Sequence, residues 1–197
     1  MFLSWGPPSV KMQKECIENS SGFNYEKNLQ GATTRGVSSL NHEMAEKGFV
    51  INHSRISLGS GTVTFQKAKD AIRNWRHFEL GWAFVNANTP IREGSRFCVC
   101  VKEFLPWITM PLEVIHCEDS QTARFRFSSG TLHGHLLAGE ELFAVEMDDK
   151  DEVWYEILSF SKPAHVLAHI GRPYIRWRQK MFAHQSSNAV RKHVISQ

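Results

Sequence analysis

Several features are missing from this chain, and each absence removes a class of function. No run approaches the ~18 consecutive apolar residues of a membrane-spanning helix. The opening residues, MFLSWGPPSV, have no basic segment ahead of a long apolar one, so they do not read as a secretory signal. Cys16, Cys98, Cys100 and Cys117 form no CxxC pair, and a chain of 197 residues needs no disulfide staples. They are expected to be reduced core thiols of a cytoplasmic protein. GxSxG, P-loop, HExxH and Cys–His nucleophile signatures are absent, as is GxGxxG with a following acid. GSGTVTF, residues 59–65, opens a helix on two glycines and could hold an anion there, but it lacks the P-loop lysine.

Acidic residues are missing from one region. From Lys162 to Gln197 there are seven of the 23 Lys and Arg and no Asp or Glu, leaving 16 basic residues to face 20 acidic ones elsewhere. The net charge of +3 therefore belongs to the C-terminal segment alone. A solvated helix face or an anionic partner such as a membrane surface accounts for it. The rest is ordinary for a folded protein, with 42% apolar and 22% charged residues, enough for one core.

PPSVKMQKECIENSSG reads as a short helix with Ser9 as N-cap and Gly22 beyond its end. Residues 23–49 have weak periodicity and yield no firm element. FVINHSRISLGSG reads as a strand stopped by Gly59 and Gly61. Phe65, Ala68, Ile72 and Trp75 then recur at helical spacing, with Thr62 to cap the helix and Gly81 to end it. From Trp82 the period becomes two, giving six strands at 82–86, 95–104, 108–118, 122–130, 139–148 and 152–161. Short turns such as EDSQ and MDDKDE make these neighbours antiparallel. Ser161 and Pro163 open a last helical element that Gly171 and Pro173 break. Beyond the break Tyr174, Trp177, Met181, His184 and Asn188 form an inner stripe, with Arg176, Lys180 and Arg191 away from it.

This order predicts an α+β fold. An antiparallel six- to seven-stranded sheet wraps on a long C-terminal helix over residues 50–197, and an N-terminal helical extension, residues 1–49, packs on that domain. The element order resembles the helix-grip fold of START and Bet v 1-like proteins, in which sheet and helix often leave a cavity between them. FLSWG, INHSRISLGSG, NWRHF, KEFLPW, SGTLHGHLLAGEE, VWYEILSFSKPAH and RQKMFA together are similar to the plant members of uncharacterised protein family 0548, over nearly the whole chain. That resemblance implies a small soluble protein and brings no established activity. It also implies that the histidine at 135 is kept while the residue at 133 varies.

SSGTLHGHLLAGEELFAVEMD, residues 128–148, gathers two histidines and two glutamates. His133-x-His135-x4-Glu140 has the spacing of the first cupin metal motif. Its glycines are misplaced, however, and no second half with a further His follows. His165 and His169, at i and i+4, have no carboxylate close behind. No metal site and no cofactor are expected. As acid–base groups the residues fare better. Strand phase puts Glu141 with Phe143, Val145 and Met147 on the cavity side and Glu140 outward, unless Gly139 shifts the register; the family resemblance favours Glu140. His135, Glu140, Glu141 and His53 are the catalytic candidates. The plainer alternative has His135 fixing its loop through a backbone carbonyl and a glutamate in a surface ion pair. Trp75, Trp107, Phe127, Phe143, Tyr155, Tyr174 and Trp177 are expected to line the cavity. Nucleic acid is not expected as a partner, because single-strand binding needs exposed aromatics and Tyr174 and Trp177 fall on the inner stripe.

Three functions remain. The first is a cofactor-independent enzyme that binds a small, mostly apolar metabolite and performs acid–base cyclisation, isomerisation or a lyase step on a carbonyl-bearing isoprenoid or polyketide-like compound. The second is a non-catalytic lipid or hormone carrier docking on anionic membranes through its basic helix. The third is a protein-interaction module with a filled core. Histidines aimed into a real cavity favour the first.

Overall fold

The computed structural model describes residues 2–120 and 123–196. Its strands are β1 (Phe2–Ser4), β2 (Val50–Ser60), β3 (Ala83–Phe84), β4 (Arg96–Lys102), β5 (Trp107–Asp119), β6 (Arg124–Thr131), β7 (Leu137–Met147) and β8 (Glu152–Pro163). The helices are α1 (Val10–Glu18), α2 (Val37–Glu46), α3 (Gly61–Arg73), α4 (Val166–Ile170) and α5 (Arg172–Ser196), with short 3-10 turns at Lys27–Leu29, Ala32–Arg35 and Arg76–Phe78. Seven strands follow the order β2-β8-β7-β6-β5-β4-β3, and β1 adds to β5. Every pairing is antiparallel. No described helix is long and apolar enough to cross a membrane.

Alternation in the strands separates two faces. Val99, Phe127, Phe143 and Ile157 point inward with the faces of α3 and α5. Leu142, Ala144, Leu158 and Phe160 point outward, where Tyr25, Leu29, Leu40 and Met44 of the N-terminal segment cover them. The sheet coils because β2 shifts register between Ser57 and Gly59, and β5 between Val114 and His116. Only glycine fits at 139, where φ is 153° and an added Cβ would lie 2.0 Å from the Phe160 carbonyl oxygen. The far half of α5 is held inside by Ser186, Ser187, Val190 and Val194, with the Tyr155 hydroxyl 2.8 Å from Ser186 Oγ. This is the helix-grip architecture expected from element order.

Several local expectations need correction. α2 lies in the segment left without an element. Its buried pair, Leu40 and Met44, is one i,i+4 contact among Ser38, Ser39 and Asn41, too little for a visible period. Thr62 does not cap α3, which begins at Gly61 after Ser60. α3 stops at Arg73, not at Gly81, because Trp75 turns left-handed with φ 57°. Ser161 and Pro163 do not open a helix; they extend β8 and pair with Gly139 and Leu137. The helix starts after His165, whose Nδ1 accepts from Leu167 N. The fourth expected strand begins at Arg124; Thr122, and Gln121 of the EDSQ turn, lie outside the described residues. The inner stripe of α5 is also rotated. Trp177 is 55% exposed, so the burial that set nucleic acid aside does not hold for it.

Candidate functional site

The space between the sheet and α5 is divided in two. At the α3 end Trp75, His77, Phe78, Phe97, Phe127 and Phe143 fill it with ring contacts 4.6–5.9 Å apart. Elsewhere, beneath α4 and α5, where the lining runs from Leu167 to Arg191, the strands and helices enclose a cavity of about 1200 Å³. That exceeds the ~300–1,000 Å³ usual for a small-molecule pocket. A cavity of this size counts against the filled-core alternative. Its wall is mostly apolar, with Val99, Val101, Met110, Leu112, Ile157 and Phe182 among the lining.

One row of the wall is polar. Asn52, Ser159 and Glu141 line the cavity as cross-strand neighbours on β2, β8 and β7, and Ser129 of β6 continues their row on the inner face beyond the cavity. The Asn52 amide nitrogen is buried without a partner. Glu141 lines the cavity and has no ion pair, and burial alone raises its carboxyl to about 8. At neutral pH it is mainly the uncharged acid.

His135 reaches the same cavity from the β6–β7 loop, where Gly134 takes the left-handed turn at φ 98°. Its Nδ1 lies 3.0 Å from the Leu137 carbonyl oxygen, the loop-fixing contact of the plainer alternative, and 2.9 Å from the Leu137 amide nitrogen; in the tautomer whose Nδ1 accepts that amide N–H, the proton is on Nε2. Burial holds the ring neutral by lowering its pKa to about 4. The site thus brings one neutral imidazole, held to its own loop, and one carboxyl with a raised pKa to the same cavity.

The other expected site residues lie elsewhere. Glu140 faces outward, as strand phase implies, and accepts hydrogen bonds from Gly31 N (2.7 Å), Thr33 N (3.1 Å), the Thr33 hydroxyl and the Tyr25 hydroxyl. It caps the Ala32–Arg35 turn and fixes the N-terminal segment to the sheet. Burial raises its pKa against the pull of those bonds. His53 contributes to the cavity wall, but its imidazole is on the face of β2 shared with Leu158, where Nε2 lies 2.7 Å from Glu156. Trp75, Phe127, Phe143 and Tyr155 share the inner face but stand in the solid core beyond the cavity. Trp107 is on the outer face with Cys16, Cys98 and Cys100. Trp177 faces outward, and of the seven aromatics only Tyr174 lines the cavity. His133 is exposed, so His133, His135 and Glu140 do not converge as the cupin spacing suggested. Among the described residues no group of three or more metal-type side chains gathers.

Sequence reasoning missed Asn52, Ser129, Ser159 and the Glu103–Arg178 pair. Arg178 Nε donates to Glu103 at 3.0 Å, its guanidinium lies 3.7 Å over Trp82, and the Tyr174 hydroxyl bonds the same carboxylate. These contacts fasten the first half of α5 to the β4–β5 turn over the cavity. An inner-face polar residue in each of four adjacent strands, β2, β8, β7 and β6, was the available signal for the row.

The family model of the domain of unknown function DUF1990 matches residues 32–189. A UPF0548 protein of Arabidopsis thaliana is 49% identical over 201 residues, 98% of each chain. A UPF0548 protein of Dictyostelium discoideum is 35% identical over 78% of this chain and 77% of its own. Among solved structures, a hypothetical protein from Helicobacter pylori has a TM-score of 0.51 at 19% identity, over 74% of this chain and 87% of that one. The di-domain ARO/CYC StfQ from the steffimycin biosynthetic pathway has a TM-score of 0.51 at 10% identity, over 89% of this chain and 62% of that one. At such identities the likeness shows the fold alone.

Proposed function

The chain belongs to the UPF0548 family that carries DUF1990, and we propose that it binds a small, mostly apolar, carbonyl-bearing metabolite in its cavity and catalyses a cofactor-independent proton transfer on it. The observation that carries this reading is Glu141, an unpaired carboxyl in an apolar wall, facing the same cavity as His135. An isoprenoid or polyketide-like skeleton suits the volume and the wall. The likeness in fold to an ARO/CYC protein supports such a substrate without identifying it. Free thiols at all four cysteines fit a cytoplasmic site of action.

The chemistry follows from the two groups. His135 Nε2–H donates to the carbonyl oxygen. Ionised Glu141 removes a proton from the adjacent carbon, and the electron pair moves into an enolate whose oxygen His135 stabilises. Glu141 then returns that proton to another carbon of the conjugated enolate for isomerisation; for cyclisation the enolate carbon attacks a second carbonyl carbon of the same molecule, the π electrons of that carbonyl move to its oxygen, and the oxygen takes the proton from Glu141. A group titrating near 8 is well matched to this exchange at neutral pH. The non-catalytic carrier uses the same cavity without proton transfer. Native mass spectrometry of the purified protein tests the binding: a co-purifying compound, displaced in Met110→Trp, is expected. Deuterium incorporation from D2O into that compound, lost in Glu141→Gln, separates enzyme from carrier.

A further inference from the structure

The β4–β5 turn presents two apolar residues where a turn is normally polar: Phe104 is 81% and Leu105 71% exposed. Phe104 holds a left-handed φ of 55°, and its ring stacks on Tyr174 at 5.4 Å, which in turn meets Trp177 at 5.7 Å. Across the mouth, α4 exposes Val166, Leu167 and Ile170, the last at 76%. Leu3, Phe104, Leu167 and Tyr174 all line the cavity, so this apolar rim surrounds its opening. Scattered exposed apolar residues need no explanation, but exposed apolar residues from three elements around one cavity do.

The charges beside the rim have one sign. Arg172, Arg176 and Lys180 are exposed and recur at i, i+4 and i+8, forming a stripe next to Trp177. The acid at the mouth, Glu103, is already paired with Arg178. We propose that this rim docks on an anionic lipid bilayer, the β4–β5 turn and α4 entering the headgroup–acyl boundary while the arginine–lysine stripe meets the lipid phosphates. Exposed Phe104 and Trp177 offer ring faces to bases as well, but aliphatic Leu105, Leu167 and Ile170 of the same rim suit acyl chains only, which favours lipid over nucleic acid. The proposal rests on the cavity reading only for its purpose: an apolar ligand would enter from an apolar phase. The docking surface differs from a docking by basic charge alone, because the apolar rim must insert.

Sedimentation with phosphatidylcholine vesicles, with and without phosphatidylserine, tests it. Neither Leu105 nor Ile170 lines the cavity, so Leu105→Ser/Ile170→Ser spares the binding site, as does Arg172→Glu/Arg176→Glu. The native protein is expected to sediment with phosphatidylserine vesicles and not with phosphatidylcholine alone. Each double variant is expected to lower partitioning about tenfold or more with thermal midpoint unchanged. Glu141→Gln should bind vesicles normally, so failure of docking and failure of the cavity reading are separable. Four results overturn the proposal: no vesicle binding, binding indifferent to Leu105→Ser/Ile170→Ser, a concentration-dependent dimer that the same variant abolishes, or a single-stranded oligonucleotide that displaces the vesicles.

Discussion

Glu140 and Glu141 are adjacent in β7 and face opposite sides of the sheet. Glu140 accepts the amides of Gly31 and Thr33 and anchors the N-terminal segment, while Glu141 projects without an ion pair toward the cavity. Two chemically identical side chains therefore have opposite energetic roles. One satisfies buried donors; the other gives up stability to keep a proton-exchanging group in an apolar wall.

The two should separate on substitution. Glu140→Ala leaves the Gly31 and Thr33 amides without an acceptor and should destabilise the protein by about 3 kcal/mol, read as a lower urea midpoint. Glu141→Gln should leave the urea midpoint equal or higher at pH 8. A reversed order would mean that Glu141 holds the fold together.

Stability should also fall with alkali because of Glu141. Its folded pKa, about 8, lies above the ordinary 4.5, so the folded state binds the extra proton and unfolding gives it up. Between those values each rise in pH favours the unfolded chain, and the loss is complete above about 8. Thermal midpoints measured from pH 6.5 upward should decline in the native protein and flatten in Glu141→Gln.

His135→Ala removes the proposed donor and no titrating base. Turnover should fall by roughly 10²–10³-fold with little change in ligand affinity. With Glu141 as the proposed base, kcat/KM is expected to rise with pH and level off above about 8. An unchanged turnover in His135→Ala would leave the carrier as the better account.

The inner-face period was readable along most of the sheet. Phe125 and Phe127 alternate with ion-paired Arg124 and Arg126, and the same parity assigned Glu141 inward. What parity cannot give is depth along a strand. Phe143 and Glu141 share a face, yet α3 packs against one and α5 bridges over the other. The aromatic lining was misjudged for that reason, since large rings fill the closed end and leave the open end to Met110, Leu112 and Val99. Trp177 departs from the expected inner stripe because helical spacing fixes a period but not its phase about the axis, and the turn of α5 that carries it lies at the cavity rim.

His77 is fully buried among aromatic rings, and neither ring nitrogen has a partner. Burial lowers its pKa to about 3, below the ordinary 6.5. The unfolded state therefore binds the proton first, and stability is lost as pH falls from about 6.5 toward 3. His77→Phe removes that proton and should flatten the acid limb of the stability curve. An acid limb of unchanged steepness would show that His77 finds a partner.

The titration of Glu141 itself tests the central claim most directly. Carbon-13 NMR of the glutamate carboxyls, assigned by loss of one resonance in Glu141→Gln, follows that group without needing a substrate. The account predicts a midpoint near 8, moved when a carbonyl-bearing ligand enters the cavity. A midpoint in the ordinary glutamate range, near 4.5, indifferent to ligand, would contradict it.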